Sequence, residues 1–292
     1  MTTSPPDINA LWNFADPAAS EARFGAAINA LAADAPQWHA SVLQTQRARA
    51  QGLQGRFDDA HRTLDAIDVS SDQCPPVLRV RHLLERGRVH NSGGDPLAAK
   101  PLFVRAWELA MNAALDALAV DAAHMVAIVE SGDAPMEWNN RALALAESSS
   151  DPAARKWRAS LLNNSGWTHF GAGQYPEALA LFERALAARQ ETPDTGPLRV
   201  ARWCVARTLR ALGRVEEAMN QQEVLHAEHQ SAGTNDGFVY EELGECLLAL
   251  GRREEARPWL AKAHAALSQD PWLMEKEPTR IQRLNDLSAE MD

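Results

Sequence analysis

Six glycines recur along this 292-residue chain at a nearly constant interval, and that interval constrains the fold more than any other feature. Gly55, Gly94, Gly132, Gly173, Gly213 and Gly251 lie 39, 38, 41, 40 and 38 residues apart. Self-similarity at such a period points to a stack of like helical or strand units. The residues around each glycine repeat too. Five positions after it stands a small residue: Ala60, Ala99, Ala178, Ala218 or Ala256. Nine after it stands a bulky one, Leu64, Phe103, Phe182 or Leu260, with Gln222 as the exception. Twelve after it are Ile67, Ala106, Ala185, Leu225 and Ala263, and seven before it Ala48, Gly87, Gly166, Ala206 and Gly244. The Gly132 unit is degenerate and fits only with one residue slipped, which puts Trp138, Ala142 and Leu145 in register.

Offsets of four, seven and eight share one face of an α-helix. Small residues on two helices let them cross closely, and a bulky neighbour fills the groove beside the crossing. The glycine supplies the left-handed turn that reverses the chain. A single hairpin of this kind cannot bury its apolar face alone, whereas a stack can. Alanine and leucine dominate the apolar residues and β-branched ones are sparse, which favours helix over sheet.

The stretches "GWTHFGAGQYPEALALFERAL" and "LGECLLALGRREEARPWLAKA" resemble the tetratricopeptide repeat. The resemblance implies an all-α, right-handed α-α superhelix of about six helical hairpins with capping helices at both ends. Its parts are expected at residues 1–40 (N-terminal caps), 41–268 (repeats at about 41–79, 80–117, 118–157, 158–197, 198–235 and 236–268) and 269–292 (C-terminal cap). Asp16-Pro17 and Asp270-Pro271 read as N-caps followed by proline in the first turn, and a last helix is expected from about Pro278. The departure from the family is the period, near 39 against a usual value of about 34. The excess is expected in longer second (B) helices or in the loops that follow them, such as "DVSSDQCPPVLR" and "AARQETPDTGPLR". The whole chain also resembles stand-alone bacterial proteins of this repeat type.

In that family the first (A) helix of each hairpin lines the concave groove. The resemblance places the groove positions about 13, 10, 6 and 3 residues before each turn glycine. They would be Val42, Thr45, Arg49 and Gly52 in the first repeat, and Arg81, Leu84, Arg88 and Asn91 in the second. The fourth offers Ser160, Asn163, Trp167 and Phe170, with Asn164 beside them. The fifth offers Val200, Trp203, Arg207 and Arg210, and the sixth Phe238, Glu241, Glu245 and Leu248. From these, Arg49, Arg81, Arg88, Asn91, Asn163, Asn164, Trp167, Trp203, Arg207, Glu241 and Glu245 are the expected ligand contacts. Asparagine can pair with a peptide backbone as donor and acceptor, arginine forks hold carboxylates, and tryptophan and arginine anchor interfaces. The competing reading is that Trp167 and Trp203 pack between neighbouring A helices and that the arginines pair with carboxylates such as Glu85.

Other classes fare worse. A net charge of −10 argues against nucleic acid as partner. The N-terminus has neither the basic nor the apolar region of a leader peptide, and no run is long enough to span a membrane, so a cytoplasmic protein is expected. Cys74, Cys204 and Cys246 fit neither a disulfide framework nor a zinc site. None of the four lysines, Lys100, Lys156, Lys262 and Lys276, occupies a groove offset, which argues against a clamp for chaperone tails. Asp121 and His124 share a helix face and form the one candidate for acid–base catalysis, against a plain helix-packing hydrogen bond. His82 and His90 have poor metal-ligand spacing, and Glu241, Glu242 and Glu245 read as a solvated acidic face. No metal or cofactor is expected. The sequence therefore favours a non-catalytic scaffold for a peptide or protein partner, with possible self-association. A small-ligand or signalling-peptide sensor is the alternative, and an enzyme around Asp121 and His124, with Asn163 and Asn164, the third reading.

Overall fold

The computed structural model describes residues 7–71, 73–191 and 194–289. The expected terminal caps and the two loops quoted above therefore fall partly outside the described residues: 1–6, 72, 192–193 and 290–292. All regular structure among the described residues is helical, arranged as antiparallel pairs in a tetratricopeptide-like solenoid fold. The chain divides into two compact units between Leu161 and Leu162.

The first unit opens with a short α1 (Ile8–Leu11) and α2 (Pro17–Asn29). Three hairpins follow: α3 (Gln37–Leu53) with α4 (Phe57–Asp65), α5 (Pro76–Ser92) with α6 (Pro96–Asn112), and α7 (Asp116–Val129) with α8 (Ala134–Ser148). A single turn, α9 (Pro152–Arg155), leads into α10 (Arg158–Gly171), within which the unit boundary falls. The second unit continues with α11 (Tyr175–Gln190), the pair α12 (Thr195–Ala211) and α13 (Val215–Ser231), and the pair α14 (Gly237–Ala249) and α15 (Arg253–Leu267). It closes with α16 (Pro271–Lys276) and α17 (Pro278–Ala289).

All six turn glycines have positive φ, between 67° and 89°. In five of these turns the residue after the glycine donates its N–H back to the carbonyl five residues earlier, as in Arg56 to Gln51 (3.0 Å) and Arg214 to Leu209 (2.9 Å). This is the Schellman closure that satisfies otherwise orphaned carbonyls. The Gly132 turn differs: α7 ends in an extended Glu130, so an added residue separates the helices, which accounts for the slipped register. Between α6 and α7 the reversal uses Ala114 at φ 52°, a conformation that costs an alanine but not a glycine. The N-caps at Asp16, Asp95, Asp151, Asp194, Asp236 and Asp270 each accept a backbone N–H of the helix they start.

The offsets become packing. A Cβ added at Gly166 would stand 2.6 Å from the Phe182 ring, and one at Gly244 2.6 Å from Leu260, while Gly87 faces Phe103 at still closer range. Leu64, Phe103, Phe182 and Leu260 are fully buried. Gln222, the sequence exception, is fully buried in the same place, and neither its amide nitrogen nor its carbonyl oxygen has a hydrogen-bond partner. Helix lengths are uneven in both classes: α5, α6, α12 and α13 each run 17 residues, whereas the A helices α10 and α14 run 14 and 13.

Candidate functional site

In the second unit residues expected at the groove on successive A helices form a row. Trp167 of α10 lies 5.9 Å from Trp203 of α12, and Trp203 lies 5.8 Å from Phe238 of α14, centroid to centroid. Trp203 donates its indole N–H to the Phe238 carbonyl at 3.2 Å. The Arg207 guanidinium sits over Trp203 (5.3 Å) and Phe170 (5.7 Å), and Arg280 of α17 over Phe238 (5.3 Å). These are distances at which a cation is attracted to a ring face. Trp167 and Trp203 are half-buried, so each packs against a neighbouring helix and still presents part of its ring to the face. Asn163 accepts the Cys204 S–H at 3.4 Å, and Asn164 beside it is half-buried.

Most of the charged groove residues already have protein partners. Glu242, fully buried, accepts from Arg207 (2.6 Å) and from Arg210 through two bonds (2.7 and 2.9 Å). Glu241 is buried against α17, where Arg280 holds it (Nε to Oε1, 2.8 Å), and Glu245 is held by Arg283 of the same helix. The two carboxylates expected to meet a ligand at the C-terminal end of the groove thus meet the closing helix instead. The acidic face that reads as solvated is, at Glu241 and Glu242, interior.

The first unit repeats the theme. Buried Glu85 accepts from Arg88 (2.9 Å) and Gln46 (3.0 Å), and Arg49 approaches it at 3.9 Å. Arg88 also reaches Asp121 at 2.5 Å. Burial pushes the Asp121 carboxyl up, but Arg88 and Arg49 outweigh it and hold the group below its ordinary value. Arg49 is covered on its other side by the stacked rings of Trp12 and Phe14, each 5.4 Å away. Burial, and then the neighbouring Arg88, lower its pKa. Arg81 contributes a third guanidinium whose buried Nε has no acceptor, and Asn91 is half-buried near the turn.

The Asp121–His124 pair is not assembled for catalysis. Asp121 is committed to Arg88, the Nδ1 of His124 has no hydrogen-bond partner, and its ring lies 5.4 Å from Trp157. Burial lowers the His124 pKa. Among the described residues no group of three or more His, Cys, Asp or Glu side chains could hold a metal ion, and no helix is long and apolar enough to cross a membrane.

One concavity was missed by the offsets. A pocket of about 440 Å³ lies between the first turns of α12 and α14, lined by Gly196, Arg199, Val200, Trp203, His229, Asp236, Phe238 and Val239. Val200, Trp203 and Phe238 are at positions that the resemblance assigns to the groove. Gly196 and Arg199 precede the periodic offsets of α12, Val239 follows the first offset of α14, His229 is in the last turn of α13 and Asp236 caps α14; no spacing signal marks these five.

Tetratricopeptide-repeat family profiles match residues 158–192, 41–66 and 239–262. No curated protein matches the sequence. Among solved structures, the chain is similar to a signal-transduction ATPase with numerous domains and a tetratricopeptide-repeat sensor from Pyrococcus horikoshii, with 13% identity and a TM-score of 0.71 over 92% of this chain. It covers 41% of that ATPase, so it spans about two fifths of its length. It is also similar to BtubC from P. vanneervenii (13% identity, TM-score 0.57, covering 79% of this chain and 94% of that one). NprR in complex with its cognate peptide NprX matches at 15% identity and TM-score 0.54, covering 96% of this chain and 82% of that one. At these identities the likeness is one of fold.

Proposed function

We propose that this tetratricopeptide-repeat protein is a non-catalytic scaffold that holds a peptide or a peptide-like segment of a protein partner against its A helices. The observation that carries the reading is the row Trp167, Trp203 and Phe238, topped by Arg207 and Arg280. Half-buried aromatic rings with fixed cations are rigid anchors that lose little freedom when a ligand arrives. NprR, of similar fold, is described with a bound cognate peptide, and the same use of the fold is proposed here. The cytoplasmic, bacterial and stand-alone character expected from the sequence is kept, and among the sequence-derived contacts the ligand of the second unit is given Asn163, Asn164, Trp167 and Trp203, while Asn91 belongs to the first unit's own face. Arg49, Arg81, Arg88, Arg207, Glu241 and Glu245 shape the face through their ion pairs and packing. A small-ligand sensor is the second reading, favoured by the pocket at the first turns of α12 and α14.

The test is capture of partners from a bacterial lysate by the full chain, followed by hydrogen–deuterium exchange on the captured complex. The control bait carries Asn164→Arg, a half-buried position of the second unit outside the ion-pair lattice, with its melting temperature checked. A partner lost from the control, with protection on A helices, supports the groove. Protection confined to B helices or caps overturns it.

A further inference from the structure

We propose that the first unit holds a nucleoside monophosphate, its phosphate on Arg49 and Arg81 and its base stacked on Phe14. The inference goes beyond the peptide reading and does not rest on it.

The charges in this part of the first unit do not balance. Arg49 of α3 and Arg81 and Arg88 of α5 act on two carboxylates, Glu85 of α5 and Asp121 of α7. His124 is the remaining titratable neighbour of Asp121, and burial lowers its pKa, so it is neutral at pH 7. Three guanidiniums against two carboxylates leave one positive charge over, in a protein whose net charge is −10. Arg88 takes up both carboxylates, donating to Glu85 at 2.9 Å and to Asp121 at 2.5 Å, and Gln46 also donates to Glu85, at 3.0 Å. Arg49 and Arg81 are left over. Arg49 approaches Glu85 no closer than 3.9 Å and makes no hydrogen bond to a described residue, while Arg88 and Arg81 both repel its charge. Its side chain is 29% exposed, so a ligand reaches it from solvent. Of the Arg81 nitrogens, the Nε is buried without an acceptor, and the two Nη amines are neither buried nor hydrogen-bonded to a described residue.

Phe14 supplies the other half of the site. Its ring stacks on Trp12, with 4.6 Å between centroids and 2° between planes. Trp12 in turn meets buried Phe24 edge-on and donates its indole N–H to Gln46 at 3.2 Å. The stack is thereby fixed beside the arginines, with the Arg49 guanidinium 5.4 Å from each ring. Phe14 is 60% exposed, so it offers water a planar apolar surface of the kind on which a base stacks.

The two free guanidiniums come from two helices. One guanidinium fork fills a planar carboxylate, whereas a phosphate monoester has three strong acceptor oxygens and can take donors from both. Glu85 and Asp121 set the upper limit. Each further phosphate would add repulsion from these carboxylates with no cation left to offset it, which disfavours di- and triphosphates and any nucleic-acid strand.

The test is calorimetric titration of the full chain with AMP, and in parallel with adenosine, ribose 5-phosphate, ATP and hippurate, an aromatic carboxylate. Trp12, replaced with 5-fluorotryptophan and assigned by its loss in Trp12→Phe, reports the site by ¹⁹F NMR. AMP is expected to bind and shift the Trp12 resonance, with the other four compounds each weaker by at least about tenfold. Phe14→Ala and Arg81→Gln should each weaken AMP by at least about tenfold. Arg81→Gln should do so without lowering the melting temperature, since it removes the surplus cation and breaks no ion pair. No binding at millimolar AMP, any of the four other compounds binding as tightly as AMP, or unchanged binding to Phe14→Ala would each overturn the proposal. So would a lower melting temperature for Arg81→Gln, which would make that guanidinium a structural partner of Glu85 and Asp121.

Discussion

Arg207, six residues before the turn glycine of its repeat, donates to the carboxylate of Glu242, nine residues before the glycine of the next. Arg49 and Glu85 stand in the same relation in the first unit, at 3.9 Å. Successive A helices are therefore joined by a charge lock at a fixed register as well as by apolar packing. The glutamate in each lock is buried, at 0% and 1% exposure, so the lock works where water screens it least.

Removing the glutamate should cost far more than removing an exposed one. Glu242→Gln leaves Arg207 and Arg210 facing a neutral amide, a loss of about 3–5 kcal/mol by analogy with broken buried pairs. Urea unfolding should show a lower midpoint for Glu242→Gln, while Glu217→Gln, whose partner Arg214 is a surface neighbour three residues away, should leave the midpoint nearly unchanged.

Gln222 offers the opposite opportunity. It occupies the buried position held by Leu64, Phe103, Phe182 and Leu260 in other repeats, with both polar atoms unpaired. An unsatisfied buried amide costs about 1–3 kcal/mol. Gln222→Leu should raise the melting temperature, and calorimetry of the full chain would register an unchanged or lowered value as failure.

Gly87 has no room for a methyl group because the Phe103 ring occupies its Cβ site. Gly87→Ala should destabilise the chain by about 1–3 kcal/mol, the usual range for overpacking, despite the better helix propensity of alanine. Combining it with Phe103→Leu should cost less than the sum of the two single changes, since one relieves the other. Strict additivity in the double-mutant cycle would mean that the two residues do not meet.

Acid should weaken the fold through its half-buried histidines. Burial lowers the pKa of His82 below its ordinary 6.5, with a smaller opposing contribution from the Leu64 carbonyl at 3.1 Å, and burial likewise lowers His61 and His226. A base with a depressed folded pKa binds fewer protons than the unfolded chain. Its contribution is complete above about pH 6.5 and is lost as pH falls from there through the folded value. The melting temperature should fall between pH 7 and pH 5, and His82→Gln should flatten that slope. An unaltered slope would exclude His82 as a contributor.

The hairpins were legible because their signals are local: glycine at the left-handed turn, aspartate at the cap, a small residue opposite a bulky one across a single turn. The role of Glu85 and Glu242 was not, because their partners come from the neighbouring repeat and a helix-face argument stops at its own helix. Glu241 and Glu245 read as groove carboxylates for the same reason, since nothing in their own hairpin announces Arg280 and Arg283. Trp167 and Trp203 could be read as core or as groove because a half-buried ring between adjacent A helices serves both. The pocket was only partly legible: Val200, Trp203 and Phe238 stand at repeating positions, but Arg199, His229 and Asp236 lie outside them.

A stack of like hairpins has no intrinsic stopping point, since each repeat offers the next molecule the same surface it offers its own neighbour. On the α14–α15 hairpin it is α17 that covers this surface. Its Ile281 and Leu284 are buried with Leu260 and Leu267 in one cluster, while Arg280 and Arg283 neutralise Glu241 and Glu245. Stripped of α17, the second unit would present a greasy face fringed with uncompensated negative charge, attractive to another copy's apolar surface yet mismatched to its acids. One helix thus covers apolar surface and compensates buried charge on the same hairpin.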